Sequence, residues 1–138
     1  VMTVHLKKLS VGSQSLESLR VWQALRLSEM GRLIHVTRNR PRRAAEILNG
    51  GSIYWIIRGV MSARQNIIDL AEVQRADGQV ACGLVLSPDL VATVPTKMRI
   101  FQGWRYLEKE DAPADMKDPV DESMPPALVV ELRELGVL

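Results

Sequence analysis

The sequence is poor in the residues that usually announce a chemistry. Cys82 is its one cysteine, so no disulfide can close within the chain, and His5 and His35 are the only histidines beside it, too few for a structural zinc site. No apolar run approaches the roughly 18 residues that a membrane-spanning helix needs. The N-terminus also lacks the apolar stretch and cleavage site of a secretory signal. Gly50-Gly51 stands without the further glycines and the lysine of a phosphate-binding loop, and no serine sits in a nucleophile elbow. The expectation is a cytoplasmic protein with no metal, no cofactor and no membrane association. What remains is the composition of one ordinary folded domain: 138 residues, 46% hydrophobic and 25% charged.

Along the chain, Thr3 to Lys8 alternates apolar and polar residues at the period of a strand with one wet face. Leu16, Leu19, Trp22, Leu27 and Met30 share one side of a helical wheel, with Ser13 or Ser15 to cap the start and Gly31 to end the helix in the left-handed conformation. Arg32 to Thr37 reads as a second strand. Pro41 suits the first position of a short helix whose stripe is Ala44, Ile47 and Leu48, stopped by Asn49-Gly50-Gly51. The continuous run Ile53 to Ile57 predicts a central strand covered on both faces. Asp77-Gly78 predicts a hairpin between strands at Gln65 to Val73 and Gln79 to Leu86. Pro88 and Pro95 bracket a turn or short extended segment in this reading. A proline-rich acidic segment, 108–126, then precedes a last helix that opens at Pro126 and carries Leu128, Val129, Leu132 and Leu135 on its apolar stripe. This order predicts a single α+β domain, 1–138: a mostly antiparallel sheet, curled towards a partial barrel and flanked by about three helices.

Charge is unevenly spread. From Glu108 to Leu138 the net charge is −6, and the rest of the chain carries +8. That asymmetry suits either a basic surface for an acidic partner or an acidic tail lying on it. Arg32, Arg38, Arg40, Arg42 and Arg43 fall within twelve residues around the expected start of the short helix. Helix N-termini and arginines both favour an anion there, so the cluster is either a phosphate site or a set of cations neutralised by water and carboxylates. Phe101-Gln102-Gly103-Trp104-Arg105-Tyr106-Leu107 holds three of the six aromatics, and Tyr54 and Trp55 supply two more. Aromatics beside arginines stack bases and bind phosphates, whereas a chain with so few aromatics usually buries them; Trp55 and Phe101 are assigned to the core on that ground. His35 is the one candidate general acid or base, without a second catalytic group assignable near it.

The strings HVTRNRPRRAAEILNGGSIYWIIRGV (35–60), RQNIIDL (64–70), CGLVLSPDLV (82–91), FQGWRYL (101–107) and DAPAD (111–115) resemble a family of short proteins found mainly in alphaproteobacteria and known as a domain of unknown function. The resemblance spans nearly the whole chain and carries no assigned activity, cofactor or catalytic residue. The order of elements is also similar to PUA-like RNA-binding domains, a likeness of fold alone. The leading expectation is a module that binds a polyanion such as RNA through Arg38, Arg40, Arg42 and Arg43, with Tyr54, Trp104 and Arg105 as neighbouring contacts. One alternative is an enzyme acting on a phosphorylated or carboxylated small molecule with His35 as acid or base. Another is a protein-interaction domain that docks through its acidic tail or last helix.

Overall fold

The computed structural model describes residues 2–118 and 121–138. Six strands and three α-helices follow one another as β1 (Val4–Leu9), α1 (Leu16–Met30), β2 (Leu33–Thr37), α2 (Ala44–Leu48), β3 (Ser52–Ile57), β4 (Val60–Gln74), β5 (Val80–Lys97), β6 (Trp104–Glu108) and α3 (Pro126–Glu134). The strands form one sheet in the order β2-β5-β4-β3-β1-β6. Only the β1–β3 pair is parallel; the others are antiparallel. The α+β class and the mostly antiparallel sheet are as the sequence predicts. The sheet curls without closing into a barrel, leaving β2 and β6 as its two edges.

The curl can be measured from side chains. β2 and β3 are separated by two strands, so in a flat sheet their axes would lie about 14 Å apart. Yet the rings of His35 on β2 and Trp55 on β3 meet edge to face with centroids 5.5 Å apart. The concave face therefore encloses the main core: Val4 and Leu6 of β1, Ile53, Trp55 and Ile57 of β3, Leu70 of β4, Leu84 and Leu86 of β5, capped by Leu16 and Leu19 of α1 and by Ile47 of α2. Tyr54 and Ile56 alternate to the convex face and pack with Met61, Phe101 and Leu107. All six residues of β3 are buried, which is why Ile53 to Ile57 run without a charged residue, while Ser52 satisfies its hydroxyl by donating to the Asn66 side chain.

Local chemistry sets the ends of α1. The Ser15 hydroxyl accepts from the Ser18 N–H and Ser18 reciprocates, while Gly31 at φ 78° donates its N–H to the Leu27 carbonyl. The buried face differs from the expected one. Leu16, Leu19 and Gln23 are buried, whereas Trp22 and Met30 are 56% and 65% exposed. The reason is a polar lock. The Gln23 and Gln65 side-chain amides donate to each other's oxygens at 2.8 Å in both directions. Gln65 also accepts the Trp55 indole N–H at 3.0 Å and donates to the Ser87 carbonyl at 2.8 Å. Helix, β3, β4 and the β5 backbone thus meet at one fully satisfied buried amide.

Further corrections concern prolines and the last helix. Pro41 is buried in the turn before α2, which begins at Ala44 with Arg43 as its N-cap. Pro88 and Pro95 bracket an extended segment, not a turn, and it is continuous with β5. Both fall where the β4–β5 register shifts, so the missing N–H interrupts no regular ladder. α3 buries Pro126, Val129 and Val130 and leaves Leu128 and Leu135 outside. Pro119, within the expected irregular segment, lies outside the described residues. Gly51 is needed for close approach: a Cβ there would collide with the carbonyl oxygens of Val4 and Ile47, where α2 crosses the end of β1.

The lock predicts an order of stabilities. Gln65→Leu strands the Trp55 N–H, the Gln23 amide and the Ser87 carbonyl together and should cost about 2 to 4 kcal/mol, whereas Gln23→Leu leaves Gln65 its other two partners and should cost less. Urea unfolding monitored by circular dichroism checks the order.

Candidate functional site

A cavity of about 1220 Å³ opens between α1, the β1–α1 loop and the β2 edge. It exists because Gln23 holds α1 at the height of an amide pair while the curled sheet stops short of closure. Trp55, His35 and Leu86 line its inner part, and Val21, Trp22, Leu25 and Met30 of α1 contribute apolar surface. Lys8, Arg26 and Arg32 are its cations and Glu17 its only carboxylate among the described residues. The Arg26 guanidinium stacks 5.0 Å from the Trp22 ring centroid, which holds a positive charge over the apolar wall.

His35 is the chemically distinctive group in this cavity. Its Nε2 is buried and has no hydrogen-bond partner; Thr93 Oγ1 is the only other such side-chain atom among the described residues. Burial, with the charge of Lys8 as a smaller contribution, brings the imidazole pKa down to about 4, so it is neutral at pH 7. A neutral imidazole whose buried Nε2 is unbonded can take a hydrogen-bond partner there from a ligand, or a proton if an anion arrives with it.

The arginine cluster is not one unit: Arg32 lines the cavity, and the other four lie elsewhere. Arg38, Arg40 and Arg42 are exposed, with no ion pair among the described residues. Arg43 is engaged: it pairs with Glu46 and Glu108, stacks 5.2 Å from the Tyr106 ring and donates its backbone N–H to the Tyr106 hydroxyl. It thereby links the chain leaving the β2 edge to the β6 edge. The expected placement is corrected: Arg43 is the N-cap of the five-residue α2 and Arg42 precedes it, so neither lies in the first turn. Of the expected aromatic contacts, Trp104 is half-buried on the concave side against Tyr106. Tyr54 is buried on the convex side, and burial raises its hydroxyl pKa. Arg105 also departs from the cluster, lying over the convex-side Phe101 ring at 4.9 Å. Tyr54 and Arg105 therefore share no surface with Trp104, since alternate residues of neighbouring strands point to opposite faces.

The acidic part of the chain lies on the domain and meets the cluster only at Arg43, through Glu108; its other pairs are made elsewhere. Asp115 forms a two-pronged pair with Arg64, and Glu122 does the same with Arg20 of α1. The Glu122 carbonyl also accepts the Glu17 N–H at 2.9 Å, so the tail pins the start of the helix that walls the cavity. Cys82 is buried, and burial pushes its thiol pKa up, with Arg40 and a Thr37 hydrogen bond opposing. Sequence reasoning missed Lys8, Trp22 and Arg26 as site residues. The available signal was the surplus of α1: Val21, Trp22, Leu25 and Met30 exceed what one buried face requires.

A pH dependence follows from His35. Its folded-state pKa is about 4 against an ordinary 6.5, so between these values the unfolded chain binds a proton that the folded chain refuses. Stability contributed by the neutral imidazole is complete above about pH 6.5 and falls on acidification, by on the order of 3 kcal/mol once pH reaches about 4. His35→Phe should lose correspondingly less stability than the parent between pH 7 and 4.5 in urea titrations. The His5 pKa is also lowered, by burial, Arg64 and Lys109, and titrates alike in both proteins.

No helix among the described residues is long and apolar enough to cross a membrane, and no group of three or more metal-ligating side chains occurs among them. No curated protein and no solved structure matches the chain. A family model described as "Protein of unknown function (DUF1489)" matches residues 6–138, and the chain belongs to that family.

Proposed function

We propose that this domain binds a small apolar molecule bearing an anionic group, in the groove between α1 and the concave face of the sheet. The observation that carries the proposal is the groove itself: about 1220 Å³, apolar over most of its wall, with three cations against one carboxylate and an unpartnered imidazole nitrogen inside. Ligand sites commonly combine an apolar body with a few placed polar groups in this way. The exposed apolar side chains of α1 are then explained by what they hold. The reading keeps the protein in the cytoplasm, where a lone buried thiol needs no partner.

Polyanion binding is a second reading, favoured by one observation: Arg38, Arg40 and Arg42 carry three charges that no described carboxylate neutralises. Arg43 does not belong to that surface, because its guanidinium already serves Glu46 and Glu108.

Two titrations separate the readings. Anilinonaphthalene sulfonate, an apolar ring system with one anionic group, should bind the folded protein one to one at micromolar concentration, and Trp22→Ala should weaken it about tenfold. An Arg38→Ala, Arg40→Ala, Arg42→Ala triple variant should leave that affinity unchanged. Absence of saturable binding contradicts the groove reading. Single-stranded RNA binding whose salt dependence flattens by roughly three log-log units in the triple variant would establish the second.

A further inference from the structure

We infer that the groove selects a free, single-tailed amphiphile with an anionic head, which pairs with His35 Nε2 and Lys8 so that binding draws one proton from solvent onto His35. The inference rests on the groove being a ligand site and specifies what enters it. The buried polar groups around Trp55 are already matched, since its indole N–H and the Gln23 and Gln65 amides satisfy one another. His35 Nε2 is left as the one unmatched buried side-chain atom in the cavity. An anionic head placed there converts the neutral imidazole to imidazolium, whose new N–H donates to a head-group oxygen. No bond of the ligand breaks; one proton moves from water to nitrogen.

The tail follows from α1. Val21, Trp22, Leu25 and Met30 are exposed apolar residues that span roughly 14 Å of helix, the scale of a medium alkyl chain. Charge complementarity favours an anion over a neutral or cationic molecule. The charged groups around His35 are Lys8 from β1, Arg32 at the start of β2, and Arg26 and Glu17 from α1; Trp55 of β3 and Leu84 of β5 contribute none. Glu17 is the one acidic group among them.

Decyl sulfate and decanol below their aggregation limits test the inference, using tryptophan fluorescence at pH 7.5 and 5.5 with circular dichroism to confirm the fold. Decyl sulfate stays anionic throughout, so its affinity should rise about tenfold or more on acidification, while that of decanol stays flat. His35→Gln should bind decyl sulfate equally at both pH values. Lys8→Gln should weaken binding at both and keep the ratio, and Glu17→Gln should also keep the ratio. Saturable decyl sulfate binding without pH dependence, or a ratio that survives in His35→Gln, overturns the proton-coupled head and leaves the groove reading standing. Failure of both amphiphiles to bind at either pH, or a fluorescence change that tracks self-association of the protein, overturns both.

Discussion

The buried exchange between Gln23 and Gln65 decides where α1 sits, and the groove follows from it. An amide pair in a core is tolerated only when every donor and acceptor is matched. Here the Trp55 indole and the Ser87 carbonyl complete the match. A helix docked by such a pair is fixed in rotation as well as position, because turning it by one residue would leave Gln65 with a broken network. Fixing Gln23 inward turns Trp22 outward, since adjacent helical positions point about 100° apart. The exposed apolar wall of the cavity is thus the geometric counterpart of the polar lock.

The sheet supplies the other wall by curling and stopping short of closure. Arg43, with Tyr106 and Glu108, links the connection after β2 to the β6 edge at one point. The acidic segment contributes a second restraint. Asp115 bridges to Thr93 on β5 and pairs with Arg64, and Glu122 anchors Arg20 on α1. The opposite charges of the two parts of the chain are therefore spent within the fold at three arginines, while Arg38, Arg40 and Arg42 face solvent. Each exposed ion pair adds little by itself, but together they tie the acidic segment to α1 and to the sheet.

Much of this was legible from local signals. The alternation of β1, the caps Ser15 and Gly31, the two-sided burial of Ile53 to Ile57 and the Asp77-Gly78 turn each depend on a few adjacent residues, and each appears where the sequence implies. Three features were not legible, for physical reasons. Gln23 reads as a surface residue because its partner lies 42 positions away. The tight turn after β3 is made by Arg58-Gly59 with Arg58 at φ 49°, a conformation that arginine does not announce. β5 runs through Pro88 and Pro95 because bulges, which depend on the partner strand, absorb them. The candidate site was legible only at His35 and Arg32. The arginine string drew attention by composition, but Tyr54 and Arg105 are separated from Trp104 by strand alternation, and Arg43 is already occupied by carboxylates.

The most direct test of the account is a crystal structure of the protein soaked with decyl sulfate. The account predicts the alkyl chain along Val21, Trp22 and Leu25, the sulfate within hydrogen-bond distance of His35 Nε2, and the Gln23–Gln65 pair intact. A sulfate seated instead at Arg38, Arg40 and Arg42, or α1 collapsed onto the sheet with no cavity beneath it, would contradict it.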